Sequence, residues 1–402
     1  MTGMDGMREV RAGRLPRAAL AAAILAGAGS ALGAILDLDA FLQAYLVAWL
    51  FWLGAALGSL ALLMLQHVTG GRWGVATRRI LEAAARTLPL LALLFVPLAV
   101  FLDRVYPWAG ESHREDLGHK TLYLNAPFFL ARAAFYFVCW SALAVLLGRW
   151  SARLDREPDP FLERRLRVLS APGLVVYGLT MTFAAFDWGM SLEPHWFSTM
   201  YGVIFVVGQG LTALSFAVLA AWLLGLRHSG ADAWLTPGVF QDLGNLLLAF
   251  VMLWGYVSFS QYLIIWSGNL TEEIPWYLNR SRGGWEWVAA ALALLHFAVP
   301  FVLLLNRPLK RNPRTLAGIA LLVFLLRWVD LFWTLAPAHH PGELRVHVLD
   351  VLVWAALGGL WLAGFGFFLG ERAFPASPPP PLPGGHEVAA AVSPLHGEAA
   401  RG

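Results

Sequence analysis

The stretch Phe41-Leu-Gln-Ala-Tyr45-Leu-Val-Ala-Trp-Leu50-Phe-Trp-Leu-Gly-Ala55-Ala-Leu-Gly-Ser-Leu60-Ala-Leu-Leu-Met-Leu65-Gln66 holds no Asp, Glu, Lys or Arg. About 20 apolar residues in a helix cross the hydrocarbon core of a bilayer, so this segment is long enough to span one. Nine further stretches of the same kind run 18–36, 80–102, 126–148, 168–188, 197–225, 237–266, 284–306, 315–335 and 348–370. Backbone polar groups in lipid must be satisfied within the segment, which makes each stretch a helix. The alternating pattern of a barrel strand is absent. The expected fold is therefore all-α, a polytopic membrane protein of about ten transmembrane helices.

Composition agrees. Charged residues make up 14 % of the 402, against about 25 % in a typical soluble domain. Too few charges remain to coat a soluble globule, and the 58 % apolar content excludes a disordered chain. Of 29 Lys and Arg, 20 fall at the N-terminus, in every second loop or after the last span, and six in the intervening loops. The positive-inside rule then places both termini in the cytoplasm. The slight net positive charge is a topology signal and predicts no nucleic-acid partner.

Two blocks of four spans, 41–188 and 197–335, can be laid over one another as a parallel repeat. Residues 1–40, a basic segment with the first span, and 348–370, the last span, lie outside the blocks. Asp187-Trp-Gly-Met-Ser191-Leu192-Glu-Pro194 matches Asp330-Leu-Phe-Trp-Thr334-Leu335-Ala-Pro337 in the pattern D-x-x-x-[ST]-L-x-P. Glu82 and Asp242 sit near the cytoplasmic ends of corresponding spans. Residues 374–402, with Pro375, Pro378 to Pro381 and Pro383, read as a polyproline-like disordered tail.

Nine charged residues lie inside the spans: Glu82, Arg86, Arg132, Asp187, Asp242, Glu286, Arg327, Asp330 and Asp350. An acid in a span costs at least ~2.5 kcal/mol on insertion, which makes it a functional candidate by default. Glu82 and Asp187 would end a proton route in the first block, with Gln43, Tyr45, Tyr136, Tyr177, Thr180 and Thr182 between them. Asp242 and Asp330 would end one in the second, with Tyr256, Ser258, Ser260, Gln261 and the mid-span His296 between them. His296 suits a relay because free imidazole titrates near pH 6.5. A structural reading stands beside each. Glu82 has Arg79 at i−3 and Arg86 at i+4, and Asp330 has Arg327 at i−3, so both acids are placed for ion pairs. Glu286 and Asp350 sit near the headgroups. Asp242 has no partner nearby in sequence. His67 caps its helix or serves as a proton inlet. Glu193, His195 and Tyr201, beside Asp187 in the next loop, suit a quinol headgroup or an interfacial aromatic belt.

The lone Cys139 excludes an iron–sulfur cluster, a c-type haem or a thiolate zinc site built from this chain, and one mid-span histidine cannot provide a bis-histidine haem. No metal site is expected. No phosphate loop, nucleophile elbow or metalloprotease motif occurs. Parallel repeats with polar mid-span groups also occur in secondary transporters, but matched Gly/Pro interruptions in the two blocks are missing.

Several hydrophilic motifs then point to a family. They are Phe51-Trp-Leu-Gly, Gln66-His-Val-Thr-Gly-Gly-Arg-Trp-Gly74, Arg78-Arg-Ile-Leu-Glu82, Tyr106-Pro-Trp-Ala and His119-Lys-Thr-Leu-Tyr-Leu-Asn125. To these add Phe186-Asp-Trp-Gly-Met-Ser-Leu-Glu-Pro-His-Trp-Phe-Ser-Thr-Met-Tyr-Gly202, Phe259-Ser-Gln-Tyr-Leu-Ile-Ile-Trp-Ser-Gly-Asn269 and Glu272-Glu-Ile-Pro-Trp-Tyr277. Together they resemble the ActF-type membrane subunits of bacterial alternative complex III, a quinol:cytochrome c oxidoreductase, within the polysulfide-reductase membrane-subunit (NrfD-like) family. The resemblance covers about residues 40 to 370. It implies ten helices around two four-helix bundles in a bacterial inner membrane. It also implies partners: a multi-haem cytochrome c subunit, an iron–sulfur subunit and a sister NrfD-like subunit. The haem c and iron–sulfur clusters would belong to those partners, and this chain would hold no redox centre. By position the implied proton route uses Glu82, Asp187, Asp242 and Asp330. The sister subunit carries an intramembrane histidine six residues before its match to Asp187. Here that residue is Met181, which leaves this chain proton conduction or a structural role; the alternative is a passive quinol-site membrane anchor of a molybdoenzyme-like complex.

Overall fold

The computed structural model describes residues 17–110, 115–157, 159–227 and 234–370. The basic residues Arg8, Arg11 and Arg14 and the Pro-rich tail lie outside them. Every regular element among the described residues is helical. In chain order these are α1 (Arg17–Leu36), α2 (Leu38–Thr69), α3 (Arg72–Ala85), α4 (Leu88–Leu93), α5 (Val96–Val100), α6 (Leu102–Val105), α7 (Ala126–Leu154) and α8 (Pro160–Trp188). They continue as α9 (Tyr201–Arg227), α10 (Pro237–Gly268), α11 (Ile274–Asn279), α12 (Trp285–Ala291), a π-helical segment Leu292–Ala298, α13 (Val299–Leu305), α14 (Arg307–Arg311), α15 (Pro313–Leu335) and α16 (Val348–Gly370). Among the described residues nine helical stretches are long and apolar enough to cross a membrane, and Ala21–Leu36 of α1 is a shorter apolar one.

The long helices start where the sequence supplies a cap. Asp37, Asn125, Asp159, Thr236 and Asn312 each accept a backbone N–H of the following first turn, and four of them precede a proline in that turn. At the far end of α10, Asn269 takes the left-handed conformation (φ 49°) and its N–H closes on the Ile265 carbonyl at 3.1 Å.

The expected span 80–102 is not one straight helix. It is broken after Ala85 and again after Leu93, just before Pro89 and Pro97, each of which lacks the N–H that would continue the ladder. The span 284–306 is continuous but loosens into the π segment ahead of Pro300. The two interruptions fall in non-corresponding spans of the two blocks.

Helices α2 and α9 form the centre. The apolar stretch of α2 is 94 % buried and that of α9 is 78 %, against 28 % for α10 and 22 % for Trp285–Leu305. They touch closely at Gly58, where a Cβ would overlap the Gln209 carbonyl oxygen. The α3–α4 arm and α8 pack on α2, and α7 packs on α8 and α4. Helices α10 and α15 pack on α9, and the π segment packs on α15 and α10. Helix α16 lies against α2, and α1 lies outside against α16. At one face of the array the helix ends carrying Arg72, Arg78 and Arg307 meet, with Arg72 bonded to Asp242, Arg78 to Asp155 and Arg307 to Gln241; the loops before α7, α9, α12 and α16 lie at the other ends of the long helices, the opposite face. These are called the basic face and the opposite face below.

Candidate functional site

Helix α15 brings two charges into the interior of the second block. Asp330 and Arg327 lie one turn apart, both buried, and form an ion pair. Room for the guanidinium comes from Gly208 of α9, where any Cβ would collide with it. Trp254 of α10 donates its indole Nε1–H to Asp330 Oδ2 at 3.1 Å. The same indole meets the His296 ring edge-on, with centroids 4.5 Å apart and planes at 81°. His296 is wholly buried, and neither ring nitrogen has a hydrogen-bond partner among the described residues. It sits in the π segment, a helical irregularity that recurs at functional sites. An imidazole held this way costs stability unless a water or ligand satisfies it.

Above this cluster, toward the opposite face, lies a cleft of about 970 Å³ between α10, α11, α12 and α15. Asp330 and Phe297 line its inner end, and Gln261, Tyr277 and Arg280 its outer end. Tyr256, Phe259 and Trp266 of α10 border it and are exposed, so the cleft opens sideways on the apolar exterior. Arg280 is locked in place. Its Nη2 donates to Glu193 Oε2 and to the Thr334 carbonyl, both at 2.8 Å, its Nη1 donates to the Trp276 carbonyl at 2.9 Å, and it stacks 3.7 Å over the Trp276 ring. Burial pushes the Arg280 guanidinium below its ordinary value, and the Glu193 carboxylate opposes that shift. Burial also pushes the Tyr277 hydroxyl up to about 12. Gln261 Oε1 accepts from Ser198 Oγ at 2.9 Å, and its Nε2 reaches Tyr277 Oη only at 3.5 Å.

Among the three loop residues expected to form an outer site, Tyr201 lines the cleft and Glu193 pairs with Arg280, whereas His195 is exposed and outside the lining. Arg280 escaped sequence reading because it looked like one more loop cation. The Trp276–Arg280 spacing of one helical turn was its only signal.

The first block is organised differently. Asp187 of α8 is held by both arms of Arg132 from α7, Nε at 2.9 Å and Nη2 at 2.7 Å, and by Tyr136 Oη at 2.9 Å. Arg132 also donates to the Tyr123 carbonyl at 3.0 Å and lies between the Tyr123 and Phe128 rings. Below this pair the rings of Trp49, Phe137, Trp140 and Trp188 pack against each other. The hydroxyls read as water holders are bound to protein: Tyr45 to the Leu94 carbonyl, Tyr177 to Gln209, Thr180 to the Val176 carbonyl and Thr182 to the Gly178 carbonyl. Gln209 Nε2 in turn donates to Met181 Sδ at 3.0 Å, so the Met181 position closes a hydrogen-bonded chain.

Toward the basic face, Glu82 is buried and shares a narrow pocket with Arg79 and Arg86. Arg79 also reaches Asp155 at 3.4 Å, and Arg86 lies 4.5 Å from the Phe368 ring centroid. Asp242, without a partner nearby in sequence, has one in space: Arg72, at 3.1 Å and largely exposed. Glu286 and Asp350 accept the N–H of Gly284 and His347, so both cap helix starts rather than simply reaching for headgroups. His67 bonds Ser170 of α8 at 2.9 Å, while the Gly70 N–H closes α2, which corrects the capping role expected of the histidine.

The two matched motifs share local geometry. Ser191 Oγ donates to the Asp187 carbonyl at 2.5 Å and Thr334 Oγ1 to the Asp330 carbonyl at 2.8 Å, each acid is paired with an arginine, and a 3₁₀ turn follows each helix. Among the described residues no three His, Cys, Asp or Glu stand together as a metal site.

Long apolar helices, arginine-paired acids in the interior and a cleft open to the exterior define a polytopic helical membrane protein with polar centres inside the helix array. No protein-family model matches the chain, and no curated protein matches it.

Proposed function

We propose that this chain is an integral membrane subunit of a respiratory quinol:cytochrome c oxidoreductase complex and contributes to proton translocation through its second helix block. It spans a bacterial inner membrane with about ten helices, and both termini face the cytoplasm, as the distribution of Lys and Arg supports. The shared geometry at Asp187 and Asp330 and the central α2–α9 pair support two blocks related as a parallel repeat.

The observation that carries the proton role is the buried Asp330–Arg327–Trp254–His296 cluster at the inner end of the cleft. An acid in contact with a cavity, next to an unsatisfied imidazole, can take a proton from one side and release it to a water on the other. Asp242, with Arg72, stands at the basic face of the same block as the cytoplasmic end of the route. The first block, where Asp187 is clamped by Arg132 and backed by packed rings, serves structure and docking. The subunit reading rests on the set of hydrophilic motifs. The haem c and iron–sulfur centres belong to partner subunits at the outer surface, beside a sister membrane subunit.

Isolation of the tagged chain from its native membrane in mild detergent tests this. Co-purification with c-type haem absorbance and non-haem iron is expected. A chain that elutes alone, free of both, overturns the subunit reading.

A further inference from the structure

We infer that the corner formed by α14 and the start of α15 binds the phosphate headgroup of an anionic phospholipid, with the acyl chains lying down α15. The inference is independent of the complex proposed above and holds whichever partners the chain has.

Charge singles out this corner. Arg307, Lys310, Arg311 and Arg314 follow closely in sequence, and no Asp or Glu occurs between Glu286 and Asp330. The three arginines are exposed, and none of them pairs with an acid among the described residues. Arg307 donates its Nε to Gln241 Oε1 at 3.2 Å, while the neighbouring Asp242 is taken by Arg72. Lys310 is buried against Gly244 of α10 with its Nζ on Asn245 Oδ1 at 2.7 Å. Helix α14 packs on α10, α13 and α15, which holds the four cations in one place. The turn between α7 and α8 differs, because Asp155, Glu157, Asp159 and Glu163 are interspersed among its arginines.

Helix stability does not explain Arg314. A cation in a first turn opposes the helix dipole, and Asn312 Oδ1 already caps α15 by accepting the Arg314 N–H at 3.0 Å. Topology asks for cations in this loop, but not for a row of guanidiniums left unpaired at the head of an apolar stripe.

That stripe selects a lipid. Arg314, Gly318, Leu321 and Leu325 are the exposed residues of α15, and their spacing places them on one helix face. From Arg314 to Leu325 the stripe runs about 16 Å, the depth of one leaflet of a core about 30 Å thick. A Cβ at Gly318 would meet nothing within 4 Å, so the top of the stripe is open. Helix α13, which touches α15, ends with Val302 and Leu305 exposed just before Arg307. A soluble phosphate or an acidic peptide would use the guanidiniums and leave the stripe bare. A phosphatidylcholine head carries its own cation. A lipid with a net negative head matches both features: the guanidiniums pair with phosphate oxygens and the chains cover the stripe.

Native mass spectrometry of the full-length chain in mild detergent, titrated with phosphatidylglycerol or phosphatidylcholine, tests the site. Preferential retention of phosphatidylglycerol is expected. Each arginine near a membrane surface strengthens anionic-lipid binding about fivefold, so Arg311→Gln with Arg314→Gln is expected to weaken it about 25-fold. Arg164→Gln with Arg165→Gln, on the α7–α8 turn, leaves it unchanged. Phosphatidylglycerol with a diazirine in its acyl chain is expected to crosslink within residues 302–305 or 318–325, and Gly318→Trp removes the crosslinks at 318–325. Thermal unfolding shows which variants are folded, and if the double variant does not fold, the wild-type crosslink position decides. Equal retention of the two lipids, unchanged binding in the folded double variant, the same loss in the α7–α8 pair, or crosslinks confined to other helices overturns the inference. Displacement of the lipid by inorganic phosphate or polyglutamate at equal concentration overturns it too, and assigns the corner to a soluble anion or an acidic partner.

Discussion

Trp254 hands its indole N–H to Asp330 across 3.1 Å while its ring stands edge-on to His296, whose ring nitrogens have no partner among the described residues, so one side chain touches both Asp330 and His296. Trp254→Phe keeps most of the packing and deletes the donor. A hydrogen bond to a charged group contributes about 1.5–3 kcal/mol, so a loss of stability of about that size is expected in detergent unfolding. An unchanged unfolding midpoint contradicts a formed bond.

The Arg132–Asp187 fork predicts strong coupling. Leaving either charge unpaired costs about 3–5 kcal/mol, whereas replacing both by apolar residues of similar volume is far milder. Asp187→Leu and Arg132→Met are therefore each expected to lower the unfolding midpoint more than the double variant Arg132→Met with Asp187→Leu. A double-mutant cycle measures the difference.

Asp242 should behave in the opposite way. Its partner Arg72 is largely exposed, and exposed pairs are worth about 0–1 kcal/mol. Asp242→Asn is expected to leave the unfolding midpoint nearly unchanged, so that any loss of proton uptake in this variant reads function alone.

His339 supplies a pH signature outside the spans. Burial, with a smaller push from His340, lowers its pKa to about 4 from an ordinary 6.5. Between those values the unfolded chain binds the extra proton, so stability rises with pH through this window and falls on acidification. His339→Gln is expected to flatten the dependence of the unfolding midpoint on pH from 6.5 to 4. An equally steep dependence in the variant contradicts the depressed pKa.

The spans were legible because hydrophobic length and the Lys and Arg pattern are local signals. The breaks at Pro89 and Pro97 were local too, yet 80–102 reads as one span because a hydropathy count ignores a missing N–H. Arg327–Asp330 is visible at i, i+3. Arg132–Asp187 and Arg72–Asp242 are not, since their partners come from other helices and pairing across helices depends on rotation and depth. His296 stands out in sequence as a mid-span histidine. That its ring would be left without a partner in a π turn depends on how α12 and α13 meet α10 and α15. The cleft was the least legible feature of all. Its wall is a set of Trp, Tyr and Phe that in sequence looks like an interfacial belt, and only tertiary packing turns a belt into a site.

The central claim is that protons move through the second block by way of Asp330. Proton uptake per electron during quinol oxidation, measured on the purified complex in liposomes, tests it most directly. Asp330→Asn is expected to lower the proton-to-electron ratio while Asp242→Asn with intact assembly lowers it as well and His195→Gln leaves it at the wild-type value. A wild-type ratio in an assembled Asp330→Asn complex contradicts the account.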